Sequence, residues 1–304
     1  MNPHPVPAPA LRHLAGLGHR LALALLALPT NGLAATEAPS SPSAVTVYSN
    51  NFDTMTLGAT LAYPGAAGHG GWYQGSAPAP AYGEFQSTTA YAGKALREFI
   101  VAANTDASQT IDRRDLTAPN LATHPLITLS ARFQGKSSDL TALNEYNASL
   151  VAGGGPHPGY EIIAFGVYGG NGVAKQDSGA NVGIAMFNGS NNNEPVPLTV
   201  GQGLGWNAWH QITLKANQRN DRWVSITVDG QTQVLTPFTL PRSEDGGVWQ
   251  RGSLIEQLSA LIVAIDSFGD QTSDDIFWDT VSLTVDLPPE VLHADGFETV
   301  QGSP

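Results

Sequence analysis

The chain has 304 residues, 41% of them hydrophobic and only 13% charged, with 14 Lys and Arg against 26 Asp and Glu for a formal net charge of −12. This apolar content excludes wholesale disorder, and the acidic balance argues against nucleic acid or an anionic membrane surface as partner, since both need basic patches. With 33 Gly, 21 Pro and no Cys, turns are frequent, long helices are disfavoured, and thiol catalysis, thiolate metal sites and disulfides are excluded.

Residues 1–35 have the layout of a secretory signal peptide. Arg12 and Arg20 supply the positive end, Leu21 to Leu28 the apolar run, Pro29 and Gly32 the break, and Leu33-Ala34-Ala35 the small residues for cleavage. The apolar run is about half of the ~20 residues a helical span needs, so cleavage rather than anchoring is expected. No later stretch is long and apolar enough, so no membrane span is expected, and the protein is placed outside the cytoplasm, secreted or periplasmic. Residues 36–43 form a Pro/Ser-rich lead-in that is expected to be disordered. The composition then predicts strands near 44–49, 96–103, 126–133, 160–168, 181–187, 208–216, 222–229, 231–236, 259–267 and 276–285, each rich in Val, Ile, Thr or aromatics and bounded by Gly, Asn, Asp or Pro. Ser253 with Glu256 fits a capping box, which predicts one helical turn over Ser253 to Leu258 ahead of a strand. Pro288-Pro289 stops the sheet, leaving 44–286 as one domain and 287–304 as a flexible tail.

The clearest alternation lies in the second half. His210, Ile212, Leu214 and Ala216 share one face; Gln211, Thr213, Lys215 and Asn217 share the other. Val224, Ile226 and Val228 alternate with Trp223, Ser225 and Thr227, and Asp229-Gly230 is a two-residue hairpin signal. About ten such strands with almost no helix predict an all-β fold of two antiparallel sheets packed as a sandwich, monomeric by default.

The stretch from Trp209 to Leu214, followed by Trp223 to Gly230, resembles the paired-strand signature of concanavalin A-like jelly rolls, the superfamily of lectins, glucanases and laminin-G-like domains. Asp274 to Leu283 resembles the closing strand of that fold, and Asn51-Phe52-Asp53 followed by Gly71-Trp72-Tyr73 its opening strand and turn. The resemblance spans about 45–285 and implies a jelly-roll sandwich. It leaves function open, because the fold hosts lectins, hydrolases, lyases and adhesion modules. Ala294-Asp295-Gly296-Phe297-Glu298 resembles a short C-terminal element of exported gamma-proteobacterial proteins, which implies a bacterial exported origin.

The chemistry-bearing residues point away from catalysis. Paired-carboxylate spacings of the fold's glucanases do not occur, and the Glu residues stand singly, Glu161 among them. The Tyr/His motifs of its lyases are missing; Arg97-Glu98-Phe99 is a distant echo, and His210 shares its parity with core positions. Loop-like aromatics, namely Trp72, Tyr73, Tyr82, Tyr91, Trp206 and Trp249, suit stacking on sugar rings, and Asn171, Asn188 and Asn191 to Asn193 offer polar partners for the hydroxyls. Trp209, Trp223 and Trp278 read as structural. In the closing strand Asp279 shares the parity of Phe277, Val281, Leu283 and Val285, so it is expected to face inward and to need partners. These are either backbone N–H groups or a structural calcium held with Asn51 and Asp53. The leading reading is an exported, non-catalytic domain that binds polysaccharide or cell-surface glycan. The alternatives are a polysaccharide lyase or hydrolase with an unrecognised site, and a structural or adhesive protein without a small ligand.

Overall fold

The computed structural model describes residues 44–59, 61–62, 71–76, 82–100, 108–143, 145–154, 161–188, 193–245, 248–251, 258–268 and 273–287. The leader, the lead-in, the helical turn expected at Ser253 and the tail beyond Leu287 lie outside them. In chain order the strands are β1 (Val45–Asn50), β2 (Gly58–Ala59), β3 (Leu61–Ala62), β4 (Trp72–Ser76), β5 (Tyr82–Gln86), β6 (Ala95–Ile100) and β7 (Ser108–Asp115). There follow β8 (Leu126–Ser137), β9 (Glu145–Gly154), β10 (Glu161–Gly169), the short helix α1 (Lys175–Ser178), β11 (Asn181–Gly183), β12 (Ala185–Phe187) and β13 (Asn193–Pro195). The last are β14 (His210–Asn217), β15 (Arg222–Val228), β16 (Gln231–Val234), β17 (Arg242–Asp245), β18 (Val248–Arg251), β19 (Leu258–Phe268) and β20 (Asp274–Asp286).

Two sheets dominate. The larger runs β16-β15-β14-β8-β20-β6-β5-β2, with β1 paired to the far half of β20; the smaller runs β11-β10-β9-β19-β7-β4-β3. Among the described strands every pairing is antiparallel except that of β3 with β4. The expected all-β, two-sheet antiparallel sandwich is therefore present. Alternation places Ile127, Leu129, Ala131 and Phe133 of β8 and Ile212 and Leu214 of β14 on the inner face of the larger sheet, all buried. From the smaller sheet Leu150, Phe165, Val167, Leu261, Val263 and Ile265 meet them. Phe165 bridges the layers, with ring centroids 6.4 Å from Phe133 and 5.9 Å from Trp278.

Two bulges overturn two parity expectations. At the start of β15 the register slips, so that Trp223 pairs with Ala216 while Ser225 pairs with Lys215. Trp223, not Val224, then turns into the core, and its indole Nε1 donates to the Ala185 carbonyl at 2.8 Å. In β20 the register breaks between Asp279 and Ser282, and Thr280 adopts φ 50°. Ile276 and Trp278 face inward before the break; Val281, Leu283 and Val285 face inward after it. A bulge inserts one residue and reverses the parity beyond it. Asp279 is buried as expected, at 1% exposure, but on the outer face of the larger sheet. The Asp229-Gly230 hairpin is as expected: both residues have positive φ, 48° and 80°, the geometry of a type I′ turn.

Candidate functional site

The outer face of the larger sheet is polar by alternation. β8 contributes Arg132, Gln134 and Lys136; β14 Gln211 and Thr213; β20 Asp275 and Asp279; β6 Arg97; and β5 Glu84. Arg97 forks between two carboxylates, with Nη1 2.8 Å from Glu84 Oε1 and Nη2 2.7 Å from Asp275 Oδ1, and its guanidinium lies 4.1 Å from the Phe99 ring centroid. Burial pushes the Asp275 carboxyl up, and the Arg97 and Lys136 charges offset this only in part. A carboxyl that holds its proton more tightly when folded stabilises the fold below its unfolded value, and that contribution is lost as pH rises through its folded value. Asp275→Asn therefore narrows the loss of melting temperature that the wild type shows over that window above the ordinary aspartate value. Thermal scans at stepped pH check this, and parallel curves for the two proteins contradict it.

Beside this cluster is an open pocket of about 220 Å³, lined by Tyr91, Arg132, Trp209, His210, Gln211, Asp229 and Gly230. Four chain segments build it. Tyr91 comes from the turn between β5 and β6 and is 52% exposed. The Arg132 guanidinium lies 3.9 Å from the Tyr91 ring centroid, and Trp209, just ahead of β14, meets Tyr91 edge to face at 6.2 Å. The floor is the Asp229 turn: Asp229 Oδ1 accepts the Gln211 N–H at 2.8 Å, and Oδ2 lies 2.7 Å from His210 Nδ1. His210 Nε2 is 3.0 Å from the Gly205 carbonyl, and the ring packs on Phe133. His210 is thus a buried positioning residue behind the pocket. Among the described residues Arg132 makes no ion pair, so its donors are available to a ligand.

The turn that carries Tyr91 is pinned at several points. Gln86 Oε1 accepts the Thr88 N–H at 2.7 Å, the Thr88 hydroxyl at 2.6 Å and the Thr89 N–H at 2.8 Å. The Ala92 N–H donates to Asp279 Oδ2 at 3.2 Å and the Lys94 N–H to Asp53 Oδ1 at 3.0 Å. Two of the expected calcium ligands, Asp53 and Asp279, are therefore anchors of this turn, and their oxygens are engaged by protein donors. The Lys94 ammonium already binds the Asp53 and Met55 carbonyls at 2.9 and 2.6 Å, and the Asn51 amide donates to Asp53 Oδ2 at 2.7 Å. Asp279 is further satisfied by the Thr280 hydroxyl at 2.9 Å. Among the described residues no group of three His, Cys, Asp or Glu converges on one point. Chelator should leave the melting temperature unchanged, whereas Asp279→Ala should lower stability by about 0.5–1.5 kcal/mol for each of the hydrogen bonds lost from the Ala92 N–H and the Thr280 hydroxyl. A chelator-sensitive melting curve would restore the metal.

The aromatics singled out from sequence are scattered. Trp72 is wholly buried in β4, its Nε1 donating to the Tyr48 hydroxyl at 2.9 Å, so it belongs to the core. Tyr73, half-buried, lies on the smaller sheet and donates to Asp115 Oδ1 at 3.0 Å. Trp206 is half-buried, donates to the Lys175 carbonyl at 2.7 Å and packs on Tyr146, covering Gly135 and Gly169. Gly135 and Gly169 leave the room its indole occupies. Exposed Asn188 donates to Glu194 Oε1 at 2.7 Å. Tyr82 and Trp249 are in β5 and β18, and their side chains, like that of Glu161, lie outside the described residues. Of the six aromatics Tyr91 lines the pocket, beside Trp209, which the sequence marks as structural; Trp72, Tyr73 and Trp206 do not, nor does Asn188. Arg132, Gln211 and Asp229 complete the lining, and the sequence signal for Arg132 and Gln211 was strand parity, which sets them on the face opposite the core.

No protein-family model and no curated protein matches the sequence. Solved structures similar to the chain include the globular domain of T. cruzi calreticulin, at 16% identity and TM-score 0.48, over 82% of this chain and 91% of that one. Others are the endo-β-1,4-glucuronan lyase of the fungus Trichoderma reesei, at 12% and 0.42 over 74% and 93%, and the lectin UEA-II complexed with galactose, at 9% and 0.40 over 77% and 99%. Among the described residues no helix is long and apolar enough to cross a membrane.

Proposed function

We propose that the chain is a non-catalytic glycan-binding domain and that the Tyr91 pocket receives the sugar. The observation that carries this reading is the half-exposed Tyr91 ring, held edge-on to Trp209 and flanked by the Arg132 guanidinium, with the Gln211 side chain and the Asp229 turn at its margin. An aromatic face supplies the apolar contact a pyranose ring needs, and amide and carboxylate groups supply hydrogen bonds to its hydroxyls. The arginine adds a preference. A guanidinium without an ion pair among the described residues favours sugars carrying carboxylate or sulfate over neutral ones. The leader expected over 1–35 would deliver the domain to where such polysaccharides and cell-surface glycans are found.

One observation favours an enzyme instead: the Glu84–Arg97–Asp275 cluster, with its raised Asp275, on the same face. Its two carboxylates bind one guanidinium, however, rather than standing opposed across a space for a sugar and water. A glycan array read alongside a polysaccharide-degradation screen separates the two. Binding of acidic glycans without new reducing ends or unsaturated products supports the proposal; turnover of any polysaccharide overturns its non-catalytic half.

A further inference from the structure

Where β20 begins, two charged side chains meet inside the sandwich, and the glycan pocket uses neither. Lys175, the first residue of α1, turns its ammonium inward. Its Nζ is 2.8 Å from Asp274 Oδ1, 2.9 Å from Asp274 Oδ2 and 3.1 Å from Ser137 Oγ. Both side chains are 0% exposed. The Tyr146 ring forms one wall, its centroid 5.8 Å from Nζ. The main chain of Lys175 is fixed as well: its carbonyl accepts the Trp206 indole N–H at 2.7 Å and the Gly179 N–H at 3.0 Å. The amine is held in place against the carboxyl.

An amine and a carboxyl group held together in a space closed to water are the reactants of amide formation. Nζ is held within hydrogen-bond distance of both carboxyl oxygens, so the two reactants are kept together rather than meeting by diffusion. We propose that Lys175 and Asp274 condense into an intramolecular isopeptide bond. The Nζ–Cγ bond forms, one Cγ–O bond breaks, and the departing oxygen leaves with two of the nitrogen's hydrogens as one water. No oxidant, reductant or cofactor is consumed. Ser137 Oγ, the third contact of Nζ, accepts from the amine and donates its own hydrogen to the Asp139 carbonyl at 3.2 Å, which fixes the amine's position from a second side. The bond ties α1 to the central strand β20 across a sequence separation of 99 residues. Cross-links that close long loops restrict the unfolded chain most, and this chain has no cysteine with which to make another kind.

The test is the intact mass of the purified full-length protein, unfolded before measurement and referred to its observed N-terminus. The expected mass is lower than the sequence mass by one water, with digestion yielding a branched peptide that joins Lys175 to Asp274. Lys175→Arg, which keeps the positive charge but cannot condense this way, should restore the full mass. A wild-type mass equal to that of the sequence after prolonged incubation overturns the proposal, whatever the variant does. So does a water loss that maps to succinimide at Asp229-Gly230, Asp245-Gly246 or Asp295-Gly296.

Discussion

Lys175→Met is expected to destabilise the protein by about 3–5 kcal/mol, the cost of removing one partner from a buried ion pair. Lys175 gives all three ammonium hydrogens to acceptors, two on Asp274 and one on Ser137, in a space from which water is excluded. Methionine fills similar volume and donates nothing, so the Asp274 carboxylate and the serine hydroxyl lose a partner together. The loss follows whether the two side chains meet as an ion pair or as an amide. Chemical denaturation of wild type and variant measures it; a change below about 1 kcal/mol would mean that the pair is dispensable.

Trp278→Ala is expected to cost a similar amount, about 3–5 kcal/mol, by opening a cavity between the sheets. Trp278 is wholly buried, and its ring lies 6.2 Å from Phe133 and 5.9 Å from Phe165, so it contacts both layers. Its Nε1–H has no partner among the described residues, a defect that costs about 1–3 kcal/mol. Trp278→Phe keeps most of the apolar contact and removes that orphaned donor, so it should cost far less than the alanine change. Equal losses for the two variants would show that the indole nitrogen is satisfied and the cavity argument incomplete.

Alternation made β8, β14 and β20 legible, because one buried face forces a period of two. It did not reveal the bulges at Val224 and Thr280. Nothing about a valine or a threonine announces a register slip, and each slip moved a side chain, Trp223 and Asp279, to the face opposite the one expected. β9 escaped notice because its inward set, Tyr146, Ala148, Leu150 and Ala152, is half alanine and has little hydrophobic contrast. Trp72 read as a loop residue because Gly70 and Gly71 precede it, yet it opens a core strand. The pocket was hidden for a different reason. Tyr91, Arg132, Trp209 and Asp229 come from separate segments, and only the pairing of β8 with β14, and the turn pinned by Asp53 and Asp279, bring them together. The burial of Lys175 likewise has no local signal, since its neighbours Gln176 and Asp177 are exposed.

The most direct test of the glycan-binding claim is a calorimetric titration of wild type and Tyr91→Ala with an acidic oligosaccharide, alongside the neutral oligosaccharide of the same length. Tyr91 is exposed and outside the core, so its removal should leave the melting temperature unchanged. The account predicts that wild type binds the acidic sugar more tightly and that Tyr91→Ala loses about 1–3 kcal/mol of that affinity, by analogy with aromatic stacking on nucleobases. Unchanged affinity in the variant, or a loss of affinity matched by a loss of stability, would contradict the assignment of the sugar to this pocket.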